Sequence, residues 1–246
     1  MPALQRAVNP SYGSIMKQVR SRGRPRGFDR DAAIDAAMLL FWEHGYATTT
    51  LSALTTALGI APASLYAAFG SKDGLFYEAI ARYGERHGGF DRAMIEAAPS
   101  ARALIDAMLD GAARAYATPG LPRGCMVISA ALNCSPDAAD VERALRERRR
   151  ANEHHLAARL ARARAEGELA ASAEPAVIAK TVATVIQGMS VQARDGAERA
   201  ELVAVARAVQ PILDTVFARA RSPRAGRRSR RRGTSRATRR AGPARG

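Results

Sequence analysis

Residues 48–72, Thr-Thr-Thr-Leu-Ser-Ala-Leu-Thr-Thr-Ala-Leu-Gly-Ile-Ala-Pro-Ala-Ser-Leu-Tyr-Ala-Ala-Phe-Gly-Ser-Lys, hold the pattern that decides the fold. Leu51, Leu54 and Leu58 recur at helical spacing behind the threonines, which predicts a helix over about 51–58. Gly59-Ile60 makes a tight turn. Pro62 then suits the first position of a second short helix, which runs to about Phe69 and buries Leu65 and Phe69. Two short helices joined by a tight glycine turn describe a helix-turn-helix, a motif whose second helix can enter the major groove of DNA.

Working outward from this hairpin, every periodic stretch reads as helix and strand signals are almost absent. Asp29 is a good N-cap for a helix that carries Ala33, Ile34, Ala37, Leu40 and Phe41 on one face and stops at Gly45. Ser71 caps a helix through about His87. Ser100 opens another, with Leu104, Ala107, Met108 and Gly111 on one face. The segment 118–124, rich in Pro and Gly, is a loop. Further helices are expected at about 125–134, 137–167, 175–193 and 198–220, and Pro211 should kink the last.

The chain of 246 residues is nearly half apolar, enough for a packed core, but its formal charge of +15 is uneven. Residues 1–30 hold seven Lys or Arg against Asp29, and residues 221–246 hold eleven Arg with no acid, so the body between them is close to neutral. Cationic ends attract polyanions, nucleic acid first, although solvated disordered tails have the same composition. No unbroken apolar run is long enough to span a membrane, the first thirty residues lack a secretory core, and Met16 is an alternative start. The two cysteines, Cys125 and Cys134, are too few for a disulfide framework. Nine residues apart in one expected helix, they would lie about 13 Å from each other, so a reducing cytoplasm is the expected compartment. His44, His87, His154 and His155 fall into no catalytic or metal-binding spacing, so no enzyme, metal or cofactor is expected.

Phe41, Gly45-Tyr46, Thr49, Leu54, Gly59-Ile60, Leu65-Tyr66, Phe69, Lys72 and Leu75 stand at the spacing of the DNA-binding domain of the TetR family of bacterial transcriptional regulators. Residues 28–77 resemble that domain, and Arg22-Gly23-Arg24-Pro25-Arg26 resembles the basic lead-in of many members. Arg123-Gly124-Cys125-Met126 and Gln192-Ala193-Arg194-Asp195-Gly196 are similar to the sensor domain of one subgroup. The chain departs from the pattern at Ala61, Ala63 and Ala68, where many members have Ser, Gly and His; the helix beginning at Pro62 therefore lacks a side-chain N-cap.

The resemblance implies an all-α chain with a three-helix DNA-binding domain at 24–74 and a larger helical domain at 75–220 for ligand sensing and dimerisation. A disordered basic arm at 1–23 and an Arg-rich tail at 221–246 flank them. Its expected partners are a palindromic operator in double-stranded DNA, an unknown small-molecule effector and a second copy of itself, with repression the family's usual outcome. Thr49 or Thr50, Tyr66 and Lys72 are candidates for phosphate contacts, which set register; Pro62, Ala63, Ser64 and Ala67 are candidates for base reading through thymine methyls and one hydroxyl; Arg24 and Arg26 are candidates for the minor groove. Met108, Tyr116, Met126, Asn133 and Gln187 are candidates for lining an apolar effector cavity. Cys125 is a candidate electrophile or oxidant sensor, activated by a helix start and the Arg123 guanidinium. Two stripes, Leu202, Val205, Val209, Ile212, Leu213, Val216 and Phe217, and Val182, Val185, Ile186 and Met189, could form a four-helix dimer interface or ordinary core. Two rivals stand beside this reading: a non-specific architectural nucleic-acid binder driven by the Arg tails, and a ligand-binding protein whose helix-turn-helix no longer reads DNA.

Overall fold

The structure, a computed structural model, describes residues 28–88, 92–132, 134 and 136–217. Within them the chain is helical: α1 (Arg30–His44), α2 (Leu51–Leu58), α3 (Pro62–Phe69), α4 (Lys72–His87), α5 (Arg92–Ala97), α6 (Ala101–Ala115), α7 (Met126–Ser129), α8 (Ala139–Ala165), α9 (Pro175–Arg194), α10 (Arg199–Ala208) and α11 (Gln210–Val216). A short 3-10 turn, Pro136–Ala138, leads into α8. The Arg-rich tail, the basic arm with Arg24 and Arg26, and Asn133 lie outside the described residues.

The capping residues act as their chemistry predicts. The Asp29 carboxylate accepts from the Ala32 amide, the Thr50 hydroxyl from Ala53, Ser71 from Gly74 and Ser100 from Ala103, each at 3.0–3.1 Å. Gly59 ends α2 in the left-handed region, φ +65°, and the Ile60 amide returns to the Thr55 carbonyl at 3.1 Å. This turns the chain by 93° between α2 and α3. As expected, α3 has no side-chain cap at Ala61.

Two apolar cores form. The first unites α1 to α4 around Phe41, Leu54, Leu65, Leu75 and Phe76, all fully buried; Phe76 meets Phe41 edge to face at 5.0 Å and Tyr46 at 5.1 Å. This core does not stop at residue 74. The buried face of α4 (Leu75, Phe76, Ala79, Ile80, Tyr83) belongs to it, as do Met126 and Val127 of α7 and Val141 and Leu145 of α8. The second core lies among α6, the later part of α8, α9, α10 and α11.

Packing corrects several boundaries and faces. The segment expected as a helix over 125–134 forms only the four residues of α7, so Cys125 and Cys134 do not share a helix; both are free thiols. On α6 the buried side is Leu104, Ile105, Met108, Leu109, Ala112 and Ala113, while Ala107 is exposed. The final helix breaks at Val209, ahead of Pro211, into α10 and α11, and Phe217 then bridges back to Leu169. Most of both stripes considered for dimerisation lie inside the chain: Val182, Ile186, Met189, Leu202, Val209 and Leu213 are each 9% exposed or less.

Truncating Phe76, which fills the contact between α1 and α4, is expected to cost about 3–5 kcal/mol. Thermal unfolding of Phe76→Ala followed by circular dichroism checks this; an unchanged melting temperature would show that the ring is not holding the first core.

Candidate nucleic-acid interface and interdomain cleft

Leu65 (0% exposed) and Phe69 (7%) hold α3 to the first core, and this leaves Pro62, Ala63, Ser64, Tyr66 and Ala67 on its open side. Tyr66 is half exposed. Ahead of α1, Phe28 packs its ring 6.0 Å from that of Phe69, and the Arg30 guanidinium lies 4.9 Å over the same ring. Thr50 and Ser52 are exposed at the start of α2, close to where a helix N-terminus favours phosphate; Ser52 was not among the sequence candidates. Thr49 is different. It is 2% exposed and its hydroxyl donates to the Gly45 carbonyl at 2.6 Å, so it fastens the α1–α2 turn rather than meeting phosphate.

Lys72 is held, not free in solvent. Its ammonium lies 4.1 Å over the Tyr46 ring, and burial lowers its pKa, opposed by Asp73 beside it. Tyr46 in turn donates its hydroxyl to the Asp73 carboxylate, and burial together with Asp73 keeps that phenol protonated. The Tyr46–Asp73 pair therefore presents a cation at the foot of α4, beside α3. Spacing in the sequence marks Tyr46 and Lys72 but gives no sign that they touch.

The effector candidates do not line one cavity. Met108 and Tyr116 are in the second core, Met126 is in the first, and Gln187 is only half buried on α9. Cys125 packs against both cores. The Arg123 guanidinium, expected beside Cys125, instead donates to the Ala197 carbonyl and to Glu198, each at 2.8 Å. The cysteine has other neighbours: it adds to burial in raising the pKa of Tyr83 and of Tyr116, and Arg149, half buried, donates to the Val127 carbonyl at 2.8 Å.

A cleft of about 290 Å³ does open where the two cores meet, lined by Trp42, Tyr83, His87, Tyr116, Leu121 and Gly124 among others. Of the sequence candidates only Tyr116 reaches it. The Trp42 indole N–H crosses the cleft's edge to donate to the Gly124 carbonyl at 3.1 Å. Gly124 sits at φ +78°, and a Cβ there would meet the Ser190 carbonyl oxygen at 2.7 Å, so both backbone conformation and space require glycine. From the end of α9, Arg194 donates to the carbonyls of Trp42 and Glu43, at 3.2 and 3.1 Å. Among the described residues no group of His, Cys, Asp and Glu side chains could hold a metal ion, and no single helix is long and apolar enough to cross a membrane.

Comparison with known proteins settles what this architecture is. Residues 33–79 match the model for bacterial regulatory proteins of the tetR family, and residues 97–210 match that for a tetracyclin repressor-like C-terminal domain. The transcriptional repressor ComR of Escherichia coli K12 is 37% identical over 189 residues, which span 76% of this chain and 90% of ComR. The chain belongs to the TetR family. BdcR, a second repressor of the same organism, is 32% identical over 82% of this chain and 97% of its own length. The solved structure of a cysteine variant of the TetR-family regulator CifR, complexed with 26-base-pair operator DNA, is 42% identical; it covers 76% of this chain and 98% of that one, with a TM-score of 0.72. This TetR-family chain is accordingly a sequence-specific DNA-binding transcriptional regulator; its relatives are regulators, not enzymes, and the architectural reading is not favoured.

Replacing Gly124 by Ala is expected to destabilise the protein by about 2 kcal/mol, through backbone strain and the Ser190 contact. Chemical denaturation of the two proteins checks this; equal midpoints would mean that residues 123–125 are not pinned.

Proposed function

We propose that this chain is a homodimeric repressor that binds a palindromic operator and is released from it by a small molecule. The observation that carries the reading is the open side of α3, where Pro62, Ala63, Ser64, Tyr66 and Ala67 are left exposed among the described residues, set on a core that continues into the second domain. In this reading Tyr66, Lys72 and Thr50 hold phosphates while Pro62, Ala63, Ser64 and Ala67 meet base edges, and Arg24 and Arg26 reach the minor groove. Site selection from a randomised duplex library, with residues 222–246 deleted and at near-physiological salt, tests it. The expected result is a palindrome with half-sites about one helical turn apart. No enriched motif, with binding restored only by the Arg tail, would return the architectural alternative.

One recognition helix makes too few contacts for tight specific binding, so two copies are needed. The surface that supports pairing keeps only the exposed members of the stripe marked by sequence periodicity, Val205 and Ile212. It is the outer side of the same helices: Val177 (62% exposed) and Val191 (44%) on α9, with Thr184 and Gly188 exposed between them, and Val205 (40%) and Ile212 (61%) on α10 and α11. Large aliphatic side chains gathered in this way support burial against a second copy as a four-helix bundle. The double variant Val177→Glu, Ile212→Glu is expected to sediment as a monomer and to bind the operator about tenfold more weakly or worse. A variant that stays dimeric in sedimentation overturns this face.

Cys125 is the reactive group in this reading: a free, partly buried thiol packed against both cores is the feature that supports it. Cys125→Ser is expected to abolish release from DNA by electrophiles and oxidants while leaving operator affinity intact, as measured by fluorescence anisotropy. Unchanged release by every such reagent ends the idea.

A further inference from the structure

We infer that the cleft between the two cores is an effector site for an uncharged, planar aromatic molecule with a single hydrogen-bonding group, and that its occupant acts by parting Trp42 from Gly124. The inference rests on the ligand-release reading above and gives it a place and a chemistry.

The walls decide the chemistry. Trp42 meets Tyr83 edge to face at 4.8 Å and His87 at 5.1 Å, and Tyr116 stands with Leu121 on the other side, so the surface on offer is aromatic and apolar. The volume, about 290 Å³, is at the small end for small-molecule sites. The charged residues at the cleft are already partnered: Arg86 with Asp35 at 2.9 Å, and Glu85 with Arg82 at 3.6 Å. Burial and Arg86 lower the pKa of His87, with Asp35 opposing, while burial holds Tyr83 and Tyr116 as neutral phenols. An ion entering would lose water and find no free counter-charge. A hydroxyl, by contrast, can accept from the Trp42 indole and donate to the Gly124 carbonyl, replacing the bond it breaks.

The tethers decide the consequence. On one side, Trp42 belongs to α1, and α1 is joined to α4 by Arg82 with Asp35 (2.8 Å) and Asp31 (2.5 Å) and by Arg30 with Glu78 (2.6 Å), so the DNA-reading unit moves as one body. On the other, Gly124 donates to the Tyr116 carbonyl at 2.9 Å and Cys125 donates to the Ser190 hydroxyl at 2.9 Å, which fixes the loop to α6 and α9. A wedge between Trp42 and Gly124 therefore strains the junction, which α7, α8 and the Arg194 bonds to the Trp42 and Glu43 carbonyls also span, and shifts the DNA-reading unit against α6 and α9. In a dimer it changes the separation of the two α3 helices, which gives the ligand the differential affinity that release requires.

Trp42 is the only tryptophan in the chain, so its emission reports on the cleft directly. The full chain, with and without the selected operator, is titrated with 4-ethylphenol, and with 4-hydroxybenzoate as an anion of similar shape. The expected result is a saturable change in Trp42 emission and DNA release with the phenol, and neither with the anion. Leu121→Tyr, which fills the cleft, should bind the operator about tenfold more weakly without any ligand while melting cooperatively. DNA release by the phenol with Trp42 emission unchanged would overturn the cleft and leave ligand release standing. Saturable binding that leaves the operator held would overturn release from this site. No emission change, together with wild-type operator affinity in Leu121→Tyr, would overturn the inference outright.

Discussion

The bond from the Trp42 indole to the Gly124 carbonyl lies where two hydrophobic cores meet, beside α7, α8 and Arg194, which also link them. Its net worth is only about 1 kcal/mol, as for most hydrogen bonds exchanged with water. That modest size matters. A bond of many times that energy could not be exchanged for one to a small ligand. The surrounding segment has little freedom: Gly124 is the one residue that fits its backbone angle and its distance from Ser190, and its neighbours Arg123 and Cys125 are tied to the α9–α10 turn and to α9.

The same contrast of stiff and soft runs through the DNA-reading unit. Arg82 sits 15% exposed between Asp31 and Asp35, and Arg86 shares Asp35, so the charges linking α1 and α4 form a network rather than isolated surface pairs, which singly contribute about 0–1 kcal/mol. Beneath them Phe41, Tyr46 and Phe76 interlock. The recognition helix is fixed to this body by Leu65 and Phe69, so its orientation follows the body's orientation. It carries little chemistry of its own. With alanines, a proline, a serine and a tyrosine on its open side, selectivity must come from methyl contacts, one or two hydroxyls and the shape of the duplex, and less from the bidentate pairs that longer polar side chains make.

Much of this was written locally. Asp29, Thr50, Ser71 and Ser100 cap helices because a short polar side chain reaches an amide three residues on, and Gly59 turns α2 into α3 because it alone adopts the left-handed angle without cost. Those are nearest-neighbour effects, and they carried the helix-turn-helix, the absence of a cap on α3 and the break near Pro211. The sites were less legible. Thr49 and Thr50 look alike in sequence, yet one is buried on the Gly45 carbonyl and the other opens α2. Arg123 precedes Cys125 by two residues, but its guanidinium belongs to Ala197 and Glu198.

The sequence alone determined most of the helical segments, though not α5 or the shortness of α7, and that one hairpin has the form of a DNA reader, because capping, turn chemistry and periodicity act within a few residues of chain. Tertiary structure decided what each apolar face meets. Periodicity shows that α9, α10 and α11 carry apolar stripes, but not that Val182 and Leu202 pack inward while Val177 and, within the stripe itself, Ile212 stay outside. It likewise could not bring Trp42 to Gly124, 82 residues away, or open a cleft between them. Such contacts depend on how whole helices pack, and the energy that selects the packing is spread over two cores rather than held in any short stretch of sequence.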